Sequence, residues 1–140
     1  MHILMYNIEF YEDANGKSEL WDFIENLRIK AATNKDAHIQ HKQIDLYIQL
    51  LQDNGTRLSP NITKHIEDDI WELRPGNNRV LYFYFKDDTF VLLHQFRKKT
   101  QKTPKREIKR AKAEREAALA KNPGNYTRAI SYGAAKYVKK

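Results

Sequence analysis

The residues of this chain best suited to chemistry are its cations. Arg74 and Arg79 flank a Pro-Gly-Asn-Asn stretch, His94 and Lys98 stand two residues either side of Phe96, and Lys64 precedes them on an earlier extended segment. If the strands bearing them present one face, these five cations line a concave surface beside Phe96; strand register decides whether they do. Such a surface suits cleavage of RNA without a metal. RNA brings its own nucleophile, the 2′-hydroxyl, so the protein must orient that oxygen in line, neutralise the charge developing on the phosphate and shuttle protons. Arginine forks neutralise phosphate oxygens bidentately, a neighbouring Lys, His or Tyr moves protons if other cations perturb its pKa, and Phe96 or Tyr82 offers a ring to an unpaired base. Each residue also has a plainer role open to it: Arg74 and Arg79 can pair with Glu72 or Asp69, and His94 can be a buried, hydrogen-bonded histidine.

Other chemistries find little support. There is no phosphate loop, no dinucleotide fingerprint and no HExxH helix. The absence of cysteine removes disulfides, thiolate zinc sites and cysteine nucleophiles, and agrees with a reducing, cytoplasmic location. His38 and His41 are spaced i, i+3 but lack a third ligand nearby, so they read as surface histidines. Glu67, Asp68, Asp69, Glu72 and Asp87 form an acidic cluster that reads as a solvated strand rim and not as a metal site. No metal and no cofactor are expected.

Charge is divided unevenly. The net of +7 splits into −5 over residues 1–96, from 10 Lys and Arg against 15 Asp and Glu, and +12 over residues 97–140, from 15 against 3. So dense a basic block favours a polyanionic partner over a merely solvated face. No apolar run of about eighteen residues exists to span a membrane, and Met1 to Phe10 has no pattern of a secretory signal.

The elements that must position these residues are readable from periodicity. Tyr6 to Tyr11 alternates as a first strand. Ser18 is a suitable N-cap, and Leu20, Phe23, Ile24 and Leu27 recur at helical spacing, giving a helix from 18 to about 30. A second helix starts near Asn34, carries Ile44, Tyr47, Ile48 and Leu51 on one face, and ends at Asn54-Gly55. Beyond Ser59-Pro60 the pattern turns extended: Ile62 to Ile66, Ile70 to Arg74, Arg79 to Lys86 and Thr89 to Arg97, with tight connections at residues 75–78 and 87–88 that imply antiparallel hairpins. Alternation sets Trp71 and Leu73 opposite Glu72 and Arg74, separates Arg79, Leu81, Phe83 and Phe85 from Val80, Tyr82 and Tyr84, and groups Leu92, His94, Phe96 and Lys98 on one face. Thr103-Pro104 marks the start of an alanine-rich charged helix, with Pro in its first turn, that packs lightly through Ile108, Ala111 and Leu119 and ends before Asn122-Pro123-Gly124. The fold class is α+β: a mostly antiparallel sheet packed against an N-terminal helix pair, with a C-terminal basic helix, in one domain over 1–121 followed by a weakly structured basic tail over 122–140.

Glu72-Leu73-Arg74-Pro75, then Arg79-Val80-Leu81-Tyr82-Phe83, then Val91 to Pro104 with its Leu92-Leu93-His94-Gln95-Phe96 and Lys98-Lys99-Thr100-Gln101-Lys102-Thr103-Pro104 runs, resembles the phage-derived HigB-like toxins of the RelE/ParE superfamily. The resemblance covers about residues 5 to 118. It implies the RelE fold, an mRNA interferase acting on the translating ribosome, and neutralisation by a helix-turn-helix, HigA-like antitoxin, with a toxin-antitoxin heterotetramer among the assemblies it allows. By matching position it marks Arg74, Arg79, Phe96, Lys98 and Lys99 as site residues, with Lys64 and His94 by approximate position. Lys99, Lys102, Lys105, Arg106 and Lys109 extend the positive charge from strand end to helix and read as RNA-binding residues. The alternatives to a nuclease are a ParE-like inhibitor of DNA gyrase and a plain RNA-binding module.

Overall fold

Side-chain caps fix where the first two helices begin. In the computed structural model, which describes residues 6–121 and the backbone of residues 129–131 and 138–139, the Ser18 hydroxyl accepts the Trp21 amide at 3.0 Å and the Asn34 side chain accepts the Ala37 amide at 2.8 Å. Each such bond satisfies an amide that the helix itself leaves without a partner, an effect of about 1 kcal/mol. Helix α1 spans Glu19–Lys30 and α2 spans Lys35–Asn54. Gly55 ends α2 for two reasons: its φ is +64°, and a Cβ there would lie 2.9 Å from the Tyr6 ring.

Strand β1 (Asn7–Phe10) precedes the helices; β2 (Thr63–Glu67), β3 (Ile70–Leu73), β4 (Asn78–Tyr84) and β5 (Thr89–Arg97) follow them, and α3 (Lys105–Ala120) comes next. These strands join in the order β2-β3-β4-β5-β1, all antiparallel neighbours except the parallel β5–β1 pair. Backbone segments β6 (Ala129–Ser131) and β7 (Val138–Lys139) continue the sheet beyond β1; the rest of the expected basic tail lies outside the described residues. Asp87 and Asp88, with φ of 53° and 55°, form the β4–β5 turn, the mirror-image type whose twist suits a hairpin and which aspartate tolerates.

Two cores hold three layers together. On one face α1 and α2 bury Leu20, Ile24, Ile44, Ile48 and Leu51 against Ile8, Phe10, Leu73, Val80, Tyr82, Phe90 and Leu92, each large side chain contributing roughly 1.5–3 kcal/mol of burial. On the other, α3 covers Ile70, Leu81, Phe83, Val91 and Leu93 with only Ala111 and Ala118 fully buried. Leu119, expected to help seat α3, is instead 46% exposed. Pro104 is the N-cap, with extended ψ of 141°, and does not stand within the first turn; its carbonyl accepts the first helical bonds, from Glu107 and Ile108.

The alternation expected for β5 breaks once. Leu81 pairs with His94 but Tyr82 pairs with Leu92, leaving Leu93 as an extra residue. This β-bulge turns Leu92 towards the helix pair, and Leu93, His94 and Phe96 towards α3. Leu92 therefore does not share a face with His94, Phe96 and Lys98. Both faces of β5 are covered by helices, so leucine fits at 92 and 93 alike and nothing in the residue types marks the bulge.

Candidate active site

The bulge brings the expected cations to the α3 face. Lys64 lies opposite Glu72, Glu72 opposite Leu81, Leu81 opposite His94, and Arg79 opposite Phe96, so these residues form neighbouring cross-strand rows. Arg74 follows directly on β3 and Lys98 on β5, where the Lys98 amide bonds the Asn77 carbonyl at 2.8 Å. Arg74, Arg79, Phe96 and Lys98 thus converge at one end of the sheet, with Lys64 exposed at its flank.

A carboxylate organises them. Glu72 is only 3% exposed; its Oε1 stands 3.6 Å from Arg74 Nε and 3.9 Å from Arg79 Nε, while its Oε2 accepts the Thr103 hydroxyl at 2.7 Å. Arg79 Nη1 donates to the Gly76 and Asn78 carbonyls at 2.8 and 2.9 Å, and Arg74 Nη1 donates to the Pro60 carbonyl at 3.0 Å. Each guanidinium is thereby hydrogen-bonded through Nη1 and ion-paired with Glu72 on its Nε side, and neither Nη2 has a hydrogen-bond partner among the described residues. Burial, with the nearby Arg74 charge, lowers the Arg79 pKa from the usual arginine value, an effect that Glu72 opposes. Two cations against one anion leave a surplus positive charge in a largely desolvated place, where an incoming anion gains most.

The turn that carries Arg79 is supported from the opposite face. Gln40 of α2 accepts bonds from Asn78 Nδ2 at 2.9 Å and Arg97 Nη1 at 3.1 Å, and Gln95 donates to Asn78 Oδ1 at 3.0 Å. Gly76 turns with a φ of +62°, a conformation that side chains disfavour, and a Cβ there would meet the far end of the Gln43 side chain.

His94 does not join the open surface. It is 0% exposed, with Nδ1 2.6 Å from Glu114 Oε1 and Nε2 2.9 Å from Glu107 Oε1. Both ring nitrogens are engaged by α3, so the imidazole reaches no substrate and the plainer reading of a buried, bonded histidine is the observed one. Tyr82 is likewise fully buried, on the helix-pair face, sharing a 2.6 Å hydrogen bond with Thr63, and burial pushes its hydroxyl well above the usual range. It offers no ring to a base, whereas Phe96 is half-buried opposite Arg79.

The basic helix divides in two. Lys112 pairs with Glu67 and Asp68, Arg115 with Asp69 and Glu116, and Arg110 with Glu114 and Glu19. The acidic cluster on the β2–β3 turn is therefore a clamp for α3, and among the described residues no three carboxylate or imidazole groups gather as metal ligands. Lys105, Lys109, Lys99 and Lys102 have no side-chain partner among the described residues, and Arg106 is 3.8 Å from Glu107 with its side chain 75% exposed. Lys105 and Lys109 flank Ile108 in an open groove of about 410 Å³ beside Glu67.

Residues 32–116 match the family model described as Phage derived protein Gp49-like (DUF891), more than half of the chain. The chain belongs to the Gp49-like family. This family is part of the RelE/HigB-type toxin superfamily, and the Gp49-like match runs from α2 into α3, enclosing Glu72, both arginines, Phe96 and the lysine-rich loop. The three-layer α+β architecture is that of the RelE-like fold. No curated protein matches the chain. No helix among the described residues of this Gp49-like protein is long and apolar enough to cross a membrane.

Glu72 is the partner expected as the arginines' plainer role, and both arginines do pair with it; Thr103 beside it was not expected. The signal was present in the sequence: an acid two residues before Arg74 on the same strand face must lie beside it, and a hydroxyl ahead of Pro104 stands at a helix entry. Glu107 and Glu114 carry no comparable signal, because their partner is 13 and 20 residues away.

Proposed function

We propose that this toxin-like protein is a ribosome-dependent mRNA endonuclease, neutralised by a helix-turn-helix antitoxin. The observation that carries the reading is the arginine pair, pinned on Glu72 and on backbone carbonyls, with the Nη2 edge of each guanidinium free to meet a phosphate. In the reaction the 2′-oxygen of the mRNA bonds to the adjacent phosphorus, the bond from phosphorus to the 5′-oxygen breaks, and a 2′,3′-cyclic phosphate and a 5′-hydroxyl result. Arg74 and Arg79 stabilise the charge on the non-bridging oxygens, which peaks in the transition state. Lys98, half-buried and on the arginine side of the strand, is the candidate for moving a proton between the 2′-oxygen and the leaving 5′-oxygen. Phe96 stacks on an unpaired base. Lys99, Lys102, Lys105, Arg106 and Lys109 form a track for ribosomal RNA that raises the encounter rate without selecting a sequence.

The test is expression of the chain alone in bacteria, with mRNA 5′ ends mapped across the transcriptome. New ends within translated regions, growth arrest, and rescue by a co-expressed antitoxin are expected. Arrest with intact mRNA and DNA-damage signalling would point to a gyrase inhibitor, and normal growth with intact transcripts would overturn the reading.

A further inference from the structure

Glu72 is an odd residue for a phosphate site. A carboxylate 3% exposed beside two arginines removes half of the positive charge that an anion would meet, and burying it is costly unless its partners are well placed. Its Oε1 faces both Nε atoms and its Oε2 holds the Thr103 hydroxyl at 2.7 Å. Thr103 closes the lysine-rich loop that begins at Lys98, whose amide is tied to the Asn77 carbonyl at 2.8 Å. One end of the loop is thus anchored to the turn carrying Arg79, and the other to the carboxylate that both arginines share.

We infer that Glu72 and Thr103 are positioning residues: the carboxylate fixes the two guanidinium groups so that their Nη2 edges face the same phosphate, and the threonine latches the Lys98–Thr103 loop to them. The inference rests on the endonuclease reading for its consequence but not for its geometry. Orientation and charge make opposite demands here. Neutralising Glu72 leaves more net positive charge, which favours phosphate binding, yet frees both Nε atoms, which loosens the alignment that the transition state requires. A residue that mattered only for folding would lower affinity and rate together.

The experiment compares wild type with Glu72→Gln, Thr103→Val and Thr103→Ser by two measurements. The first follows hydrogen exchange at the Nε–H groups of Arg74 and Arg79 by NMR. Slow exchange in wild type and in Thr103→Ser, accelerated at least fivefold in Glu72→Gln, is expected; equal exchange in wild type and Glu72→Gln overturns the inference. The second measures affinity for programmed ribosomes and the single-turnover cleavage rate. Glu72→Gln should bind as tightly as wild type or tighter and cleave at least tenfold more slowly, and Thr103→Val should lose several-fold in rate that Thr103→Ser recovers. Unchanged rates, or rate and affinity falling in step, overturn the positioning role. If wild type itself cleaves no mRNA, the endonuclease reading fails, and the exchange data alone decide whether Glu72 fixes the arginines.

Discussion

Two buried charge clusters stand one cross-strand row apart on the α3 face of the sheet, and they are built with opposite stoichiometry. At the sheet end, two arginines share Glu72, and each keeps one edge of its guanidinium unspent. Beneath α3, a single histidine meets two carboxylates, Glu107 and Glu114, and the second is bridged onward by Arg110 to Glu19 of α1. The first arrangement has donors left over, and one of its two arginines, Arg74, is partly exposed. The second has every ring nitrogen committed and no exposed surface. The same charged residue types thus end up with donors to spare or with none according to the ratio of their partners, and the bonding capacity left over is what separates the two clusters.

The comparison breaks most severely at His94. Removing one member of a buried charged cluster strands its partners, so His94→Ala should destabilise the fold by about 3–5 kcal/mol, measured by urea denaturation, while the folded fraction cleaves at a near-normal rate. A stable but inactive His94→Ala protein would move the histidine into the chemistry. Arg79→Ala should do the converse, because Glu72 keeps Arg74 as a partner. Its loss removes a transition-state cation, worth roughly a hundredfold in rate or about 2.7 kcal/mol, while circular dichroism reports a folded protein; Arg79→Lys should recover little, because the fork geometry goes with the guanidinium.

A finer test separates the two halves of the basic helix. Lys105→Glu with Lys109→Glu should lower ribosome affinity and flatten its dependence on salt, since these lysines have no internal partner. Lys112→Ala, which severs contacts to Glu67 and Asp68, should leave the salt slope unchanged. The smallest effect is expected at Glu9, on β1, where burial raises the carboxyl pKa to about 7 and Oε1 has no hydrogen-bond partner among the described residues. Folding favours the protonated form, so this group's contribution is greatest below the ordinary glutamate value of 4.5 and is lost as pH rises through about 7. Glu9→Gln should therefore raise the melting temperature at pH 8 and leave it nearly unchanged at pH 4.

Local signals carried much of the architecture. Ser18 and Asn34 announced the helix starts through their own side chains, and alternation assigned the faces of β3 and β4 correctly because each of those strands keeps an unbroken period of two. The convergence of Arg74 and Arg79 was legible for the same reason. What escaped depends on events that leave no local trace. The bulge at Leu93 is silent in a strand apolar on both faces, and the capture of His94 requires a helix that is distant in sequence. The burial of Arg79 depends on a turn braced by Gln40 through Asn78, from a residue nearly forty positions upstream.

The extra residue at Leu93 gives β5 a parity that changes partway along its length. Before it, even-numbered positions belong to the helix pair; after it, they belong to α3 and the arginine end. Removing Leu93 would erase the bulge and still leave His94, Phe96 and Lys98 on the α3 side, because His94 would then follow Leu92 in ordinary alternation. Pairing the strand at its full length without the bulge would instead send all three to the wrong side of the sheet together, so the molecule reads as two half-strands written in different frames, with the reading frame of its surface set by one leucine.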